Sequence, residues 1–193
     1  MSSAPLTLHG VFIQIFDVGV LLVGGSGVGK SELALELLAR GHRLIADDAA
    51  EFIKAGDGRI HGRCPPLLRG FLEVRGLGIL NIERMFGAAA VLDGCPLDLM
   101  LRLIAPSEAA EMPDRVYGQR NTRPLLGAGI AEIALPIRVG HNLAALAEAA
   151  CRDQQLKRSG YDAAADFVAR QTSAIAAGAA ATQEASQAMK RFV

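Results

Sequence analysis

Gly24-Gly25-Ser26-Gly27-Val28-Gly29-Lys30-Ser31 fits the pattern G-x-x-x-x-G-K-[ST], whose chemistry is the binding of phosphate chains. Glycines let successive backbone N–H groups converge on phosphate oxygens, a helix amino terminus adds partial positive charge, and the Lys30 ammonium reaches the outer phosphates. Ser31 offers its hydroxyl to Mg2+. The pattern requires an apolar strand before it and an amphipathic helix after it. Val20 to Val23 is continuously apolar. Ser31 to Arg40 sets Leu33, Ala34, Leu37 and Leu38 on one face and Glu32, Glu36 and Arg40 away from it, with Gly41 where a helix stops.

The neighbouring elements nominate partners for the loop. Over about ten residues the helix travels ~15 Å away, and the strand from His42 to Asp48 returns ~20 Å. Asp47 and Asp48 therefore finish beside the phosphates. A regular strand would present only one of them to the site, and the same dipeptide also suits a plain turn. Val11 to Phe16 reads as a strand paired with Val20 to Val23 through Asp17-Val18-Gly19. With that turn centred on Asp17 and Val18, antiparallel pairing sets His9 opposite Ser26, at the border of the phosphate site. A lone histidine before a strand is more often structural.

Further along, Glu51 to Arg63 alternates around Gly56-Asp57-Gly58 as a second hairpin, ended by Pro65-Pro66. Residues 71–82 are two short apolar segments hinged at glycines, followed by strands expected at 88–92 and 97–104. Residues 105–129, with Arg115, Arg120, Asn121 and Arg123, read as a polar working loop. Ile130 to Val139 reads as a strand broken by Pro136, and Asn142 to Arg158 as a helix ended by Gly160. Asp162 caps another helix. The last twenty residues, Ala-rich and polar, suit a surface helix or a frayed tail.

Composition sets the class. The 193 residues are 51% apolar and 21% charged with no Trp, which describes a soluble globular chain with an aliphatic core, one domain or a tight pair. Lys and Arg total 20 against 20 Asp and Glu, a net charge of zero, so no general attraction to nucleic acid or anionic lipid is expected. No apolar run approaches the ~20 residues of a membrane span, and no cationic export signal opens the chain. Cys64, Cys95 and Cys151 are odd in number without Cys-x-x-Cys spacing, against a disulfide framework or a zinc cage and in keeping with a reducing cytoplasm.

The stretch from Gly25 through Lys30 and Ser31 to Asp47-Asp48, together with Leu72-Glu-Val-Arg-Gly-Leu-Gly-Ile-Leu-Asn81, strongly resembles the catalytic domain of bacterial HPr kinase/phosphorylase. Asp114-Arg115, Pro136-Ile-Arg-Val-Gly-His141 and Ser159-Gly-Tyr-Asp162 extend the resemblance, which runs from about His9 to Arg170. It implies an α/β fold: a P-loop nucleotide-binding domain of the PEP-carboxykinase-like type, a mixed β-sheet with flanking helices. Residues 1–170 would form that domain and 171–193 an Ala-rich helix or tail. It further implies an enzyme that moves phosphate from ATP, with Mg2+, to a serine of the phosphocarrier HPr, and reverses this with inorganic phosphate to give pyrophosphate.

By resemblance the enzyme is a homohexamer. Asp47 matches the base that accepts the serine proton, and His9, Lys30 and Arg115 match the other catalytic positions. Ser31 and Glu73 match Mg2+ ligands, with Asp48 a further candidate, and 72–81 matches a segment used in both directions. From spacing alone Glu73 reads equally well as a same-face partner of Arg75. The chain reads as a short form without the additional amino-terminal domain of many members. His141 stands where the family usually has arginine, and a neutral imidazole grips phosphate less firmly. Arg120 and Arg123 are expected either to help dock HPr or to be solvated loop charges.

Overall fold

A computed structural model describes residues 4–108, 114–138 and 140–190, the side chains of 177–190 excepted. The strands are β1 (Leu6–Leu8), β2 (Val11–Ile15), β3 (Val18–Val23), β4 (Arg43–Asp47), β5 (Ala50–Lys54), β6 (Ile60–Arg63), β7 (Phe71–Val74), β8 (Gly78–Asn81), β9 (Gly94–Pro96), β10 (Leu99–Ile104), β11 (Arg120–Leu125) and β12 (Ala128–Pro136). The helices are α1 (Lys30–Ala39), α2 (Ile82–Phe86), α3 (Leu143–Arg158) and α4 (Ala163–Lys190). Contacts group the chain into one unit ending at Gln155 and a second beginning at Leu156.

In the first unit a six-stranded sheet runs β11-β12-β10-β3-β2-β4. β10 is parallel to β3 and β12, whereas β2 is antiparallel to both β3 and β4. Two antiparallel steps restore direction, so β4 ends at the same sheet edge as β3. Leucines and valines at alternate positions face the helices: Val18, Val20 and Leu22 of β3 pack with Leu33, Leu37 and Leu38 of α1 and Ala144, Ala147 and Cys151 of α3. The intervening residues face a second sheet, β1-β5-β6-β9, with Phe12, Leu21 and Ile45 packed against Phe52, Ile60 and Cys95. Helices, mixed sheet and antiparallel sheet thus form three layers around two apolar cores. The mixed α/β architecture expected from the resemblance is the one found.

In the second unit, Asp162 caps α4 as expected, its Oδ1 accepting the N–H groups of Ala164 and Ala165. The Ala-rich end continues that helix to Lys190.

Three local expectations change. The first hairpin turns at Phe16-Asp17, with Phe16 in the left-handed region at φ 54°, and pairs Val11 with Leu22. That register lies two residues from the expected one and brings His9 level with Gly24; an even shift keeps every side chain on its face. Residues 88–92 form a single 3-10 turn, Ala88–Ala90, and one bridge from Val91 to Leu44, because three alanines have little strand preference. The supposed loop of 105–129 contains β11, where Arg120 pairs with Asp153 and Arg123 with buried Glu132. Both arginines are engaged in ion pairs on a strand instead of standing free in a loop.

Candidate functional site

Gly24 leaves the end of β3 with φ 147°, and a Cβ there would lie 2.6 Å from the Leu103 carbonyl oxygen. Only glycine lets the chain turn so tightly over β10. Gly29 then caps α1 at φ 98°, and the helix starts at Lys30. The Lys30 ammonium donates to the carbonyl oxygens of Gly24 and Gly25 at 3.0 and 3.1 Å, drawing the loop into a ring around its own cation. Val28 packs into the core instead of lining the site.

Across a cleft of about 370 Å3 from this cradle stand Asp47, Asp48, His9 and Glu73. Asp47 ends β4 opposite Val11, which in turn pairs with Leu22 near the end of β3, where the return geometry puts it. Asp48 departs from strand alternation. It sits in the left-handed region at φ 59°, a conformation that Asp tolerates better than most residues, with its N–H bound to the Gly10 carbonyl. The resulting twist brings both carboxylates to the cleft, where a regular strand would have brought one.

The two carboxylates differ in setting. One Asp47 oxygen accepts the Glu73 N–H at 2.8 Å, which ties β7 to β4. Burial raises the proton affinity of Asp47, and the charges of Asp48 and Glu73 raise it further against the lowering effect of that N–H. Asp48 is 79% exposed and its Oδ1 lies 3.2 Å from His9 Nδ1. Ser31 and Glu73 both line the cleft, as do Gly10 and Glu32, which the sequence reading left out, and Arg75, which it included only as part of 72–81. Arg75 stands at the first position of the turn that follows β7, two residues after Glu73. The two form no ion pair. Arg115 lies on an exposed turn, 115–117, outside the residues that line the cleft; Asp114 Oδ1 holds this turn through the N–H groups of Val116 and Tyr117. His141 is exposed as well.

The cradle fits a phosphate chain: glycines crowd the backbone where side chains are excluded, and a lysine stands at the helix start. For a divalent cation, no group of three or more His, Cys, Asp or Glu among the described residues forms a cage. Mg2+ beside a nucleotide does not need one, because it keeps waters and takes one or two protein oxygens besides the phosphates. Ser31 with Glu73 or a neighbouring aspartate meets that demand.

A strand, a glycine cradle and a helix beginning at its lysine, placed at the carboxyl edge of a mixed sheet, define a P-loop nucleotide-binding domain. Within that class the chain matches the HPr Serine kinase C-terminal domain over residues 2–171, and it belongs to this family. It is 48% identical over 171 residues to the HPr kinase/phosphorylase of Chromobacterium violaceum, covering 88% of this chain and 54% of that protein. The HPr kinase/phosphorylase of Neisseria meningitidis serogroup B is 46% identical over 169 residues, 87% of this chain and 53% of the relative. The chain therefore spans about half the length of the curated relatives it matches. Among solved structures, the Hpr(Ser) kinase/phosphatase from Coxiella burnetii superposes with a TM-score of 0.76 at 34% identity, covering 84% of this chain and 98% of that one.

Proposed function

We propose that this chain is the catalytic unit of a Mg-ATP-dependent kinase that phosphorylates HPr on a serine and reverses the transfer with inorganic phosphate, releasing pyrophosphate. One observation carries the proposal: a single cleft joins a cationic phosphate cradle to an acidic pair backed by a histidine. In the forward step the serine oxygen bonds to the terminal phosphorus, its proton passes to a carboxylate, and the bond to the β-phosphate oxygen breaks with its electron pair leaving on ADP. Lys30 and the loop N–H groups hold the phosphates in line. A bound Mg2+ neutralises charge on the phosphate oxygens, and Ser31 and Glu73 would hold it. Run backward, the same displacement needs inorganic phosphate where the β-phosphate sat.

The resemblance gives the proton to Asp47, and Asp48 stands as a further candidate for the metal. The geometry favours exchanging them. Asp48 presents a solvent-facing carboxylate with His9 behind it, a pair able to take a proton and pass it on, whereas Asp47 is half-engaged in fixing Glu73. Its raised proton affinity reflects burial and two neighbouring carboxylates, a field that a cation would relieve. Asp48→Asn should then abolish transfer and keep nucleotide binding, while Asp47→Asn weakens the dependence on Mg2+. A transfer-competent Asp48→Asn enzyme returns the base to Asp47.

The role of Arg115 rests on the resemblance. So do a homohexameric assembly and a cytoplasmic location, although exposed Leu67, Leu77 and Ile79 support burial against another chain. No helix among the described residues is long and apolar enough to cross a membrane. The decisive experiment incubates the protein with Mg-ATP and HPr and follows HPr by intact mass, with Lys30→Ala as control. A gain of one phosphoryl group on a serine supports the proposal. ATP binding without any gain points to another acceptor or to a nucleotide-sensing module. Pyrophosphate release from phosphoserine HPr and inorganic phosphate tests the reverse step, for which His141 is the weak point.

A further inference from the structure

The β7–β8 hairpin carries a cation into the cleft. Arg75, two residues beyond Glu73 in the turn between β7 and β8, lays its guanidinium across Gly27 in the middle of the phosphate loop. A Cβ built on Gly27 would lie 2.6 Å from Nη1 and 3.0 Å from both Cζ and Nη2, so the guanidinium plane faces the glycine with all three atoms at similar range. Among the described residues no hydrogen bond or ion pair engages Arg75, although three carboxylates, Asp47, Asp48 and Glu73, line the same cleft. The lysine of the loop, by contrast, already commits two of its three donors to the Gly24 and Gly25 carbonyls. An arginine whose N–H donors are uncommitted, held against the glycine loop beside the start of α1, is an anion receptor with one wall still open.

We propose that Arg75 is a phosphate-gripping residue of this site. Its guanidinium closes on the outer phosphate of a polyphosphate seated in the loop and supplies a bidentate donor pair from within the same chain. Gly27 has two duties on this account: it adopts φ 75°, and by lacking a side chain it leaves the guanidinium room to lie over the cradle. The inference deepens the phosphotransfer reading and rests on it for the identity of the anion. The contact serves both directions, since ATP, inorganic phosphate and pyrophosphate present the same oxygens to the same donors.

The test is a calorimetric titration of the full chain with Mg-pyrophosphate, comparing wild type, Arg75→Lys, Arg75→Gln and Arg75→Ala. Arg75→Gln keeps most of the stem and loses the charge, and should bind about 10- to 100-fold more weakly. Arg75→Lys, a point charge without the fork, should fall between. Millimolar ethylguanidinium should restore pyrophosphate binding and HPr phosphorylation to Arg75→Ala, an effect that a merely loop-bracing side chain would not show. Thermal unfolding checks that each variant is folded, and an unfolded Arg75→Ala leaves the Gln and Lys titrations to decide. Affinity of Arg75→Gln within about twofold of wild type overturns the inference. If wild type binds pyrophosphate yet never phosphorylates HPr, the functional reading fails while the titration still decides Arg75.

Discussion

If Arg75 lies over Gly27, a methyl group at residue 27 must displace it, and the consequence is measurable as a coupling between the two positions. Gly27→Ala places a non-glycine residue at φ 75°, a backbone cost of roughly 1–2 kcal/mol, or about 2–4 °C of melting temperature per kcal/mol in a chain of this size. Gly29→Ala makes an instructive comparison: its φ is 98°, but a Cβ there meets nothing within 4 Å. Both variants bear backbone strain, and only Gly27→Ala meets a guanidinium, at a distance where the flexible arginine must yield. The assay is a double-mutant cycle in pyrophosphate affinity. Any direct obstruction of phosphate by the new methyl appears whether residue 75 is arginine or has been replaced by glutamine, and cancels. Loss of the Arg75 contact does not cancel: once Arg75→Gln has removed it, Gly27→Ala has less left to lose, giving a coupling of about 0.5–3 kcal/mol. Gly29→Ala with Arg75→Gln should show far less. Additivity of Gly27→Ala and Arg75→Gln within about 0.5 kcal/mol would refute the placement of the guanidinium.

Other consequences follow from the same geometry. The proton affinity of Asp47 is raised in the folded chain, so its ionised form opposes folding; the stability it contributes is fully present below the unfolded carboxyl's pKa and is lost as pH rises through the folded value. Asp47→Asn, which keeps an acceptor for the Glu73 N–H, should melt at or above wild type at pH 7, with the advantage vanishing in acid; a variant less stable at pH 7 than in acid, relative to wild type, contradicts this. His42 is 6% exposed and depends on Glu148 Oε1 at 2.9 Å, a carboxylate that Arg40 also uses. Glu148→Ala strands a buried imidazole at a cost of about 1–3 kcal/mol, to be read by chemical denaturation, and an unchanged midpoint would mean that the tether carries no load. Burial pushes the thiols of Cys95 and Cys151 up to about 12 and that of Cys64 to about 11, so a thiol reagent at pH 8 should label none of them until denaturant is added.

What was readable in the sequence and what was not divides along contact range. The strand, loop and helix around Lys30 are contiguous, each step enforcing the next, and all were legible. β11 was not, because Arg120-Asn121-Thr122-Arg123-Pro124 carries no apolar alternation; it exists through pairing with β12 and ion pairs to Asp153 and Glu132, and Pro124 is tolerated because β11 is an edge strand. Asp48 reaches the cleft through a single left-handed residue, which alternation cannot foresee.

The two arginines are opposite cases. Arg115 is marked by similarity as a catalytic position and stands on an exposed turn outside the cleft, while Arg75 is marked only as one residue of the 72–81 segment and lies across the phosphate loop. Under the proposed function both are candidates for the charge that would build on a transferred phosphate, and they make different demands on the kinetics. An arginine touching the phosphate in ground state and transition state alike raises KM when lost, whereas one that engages only as charge develops lowers kcat. Arg75, already in the cradle, should fall mainly in the first group and Arg115 in the second. Arg75→Gln and Arg115→Gln, assayed for KM of ATP and kcat on HPr, separate them. A pure kcat defect in Arg75→Gln with unchanged ATP affinity would place the guanidinium elsewhere in the working enzyme.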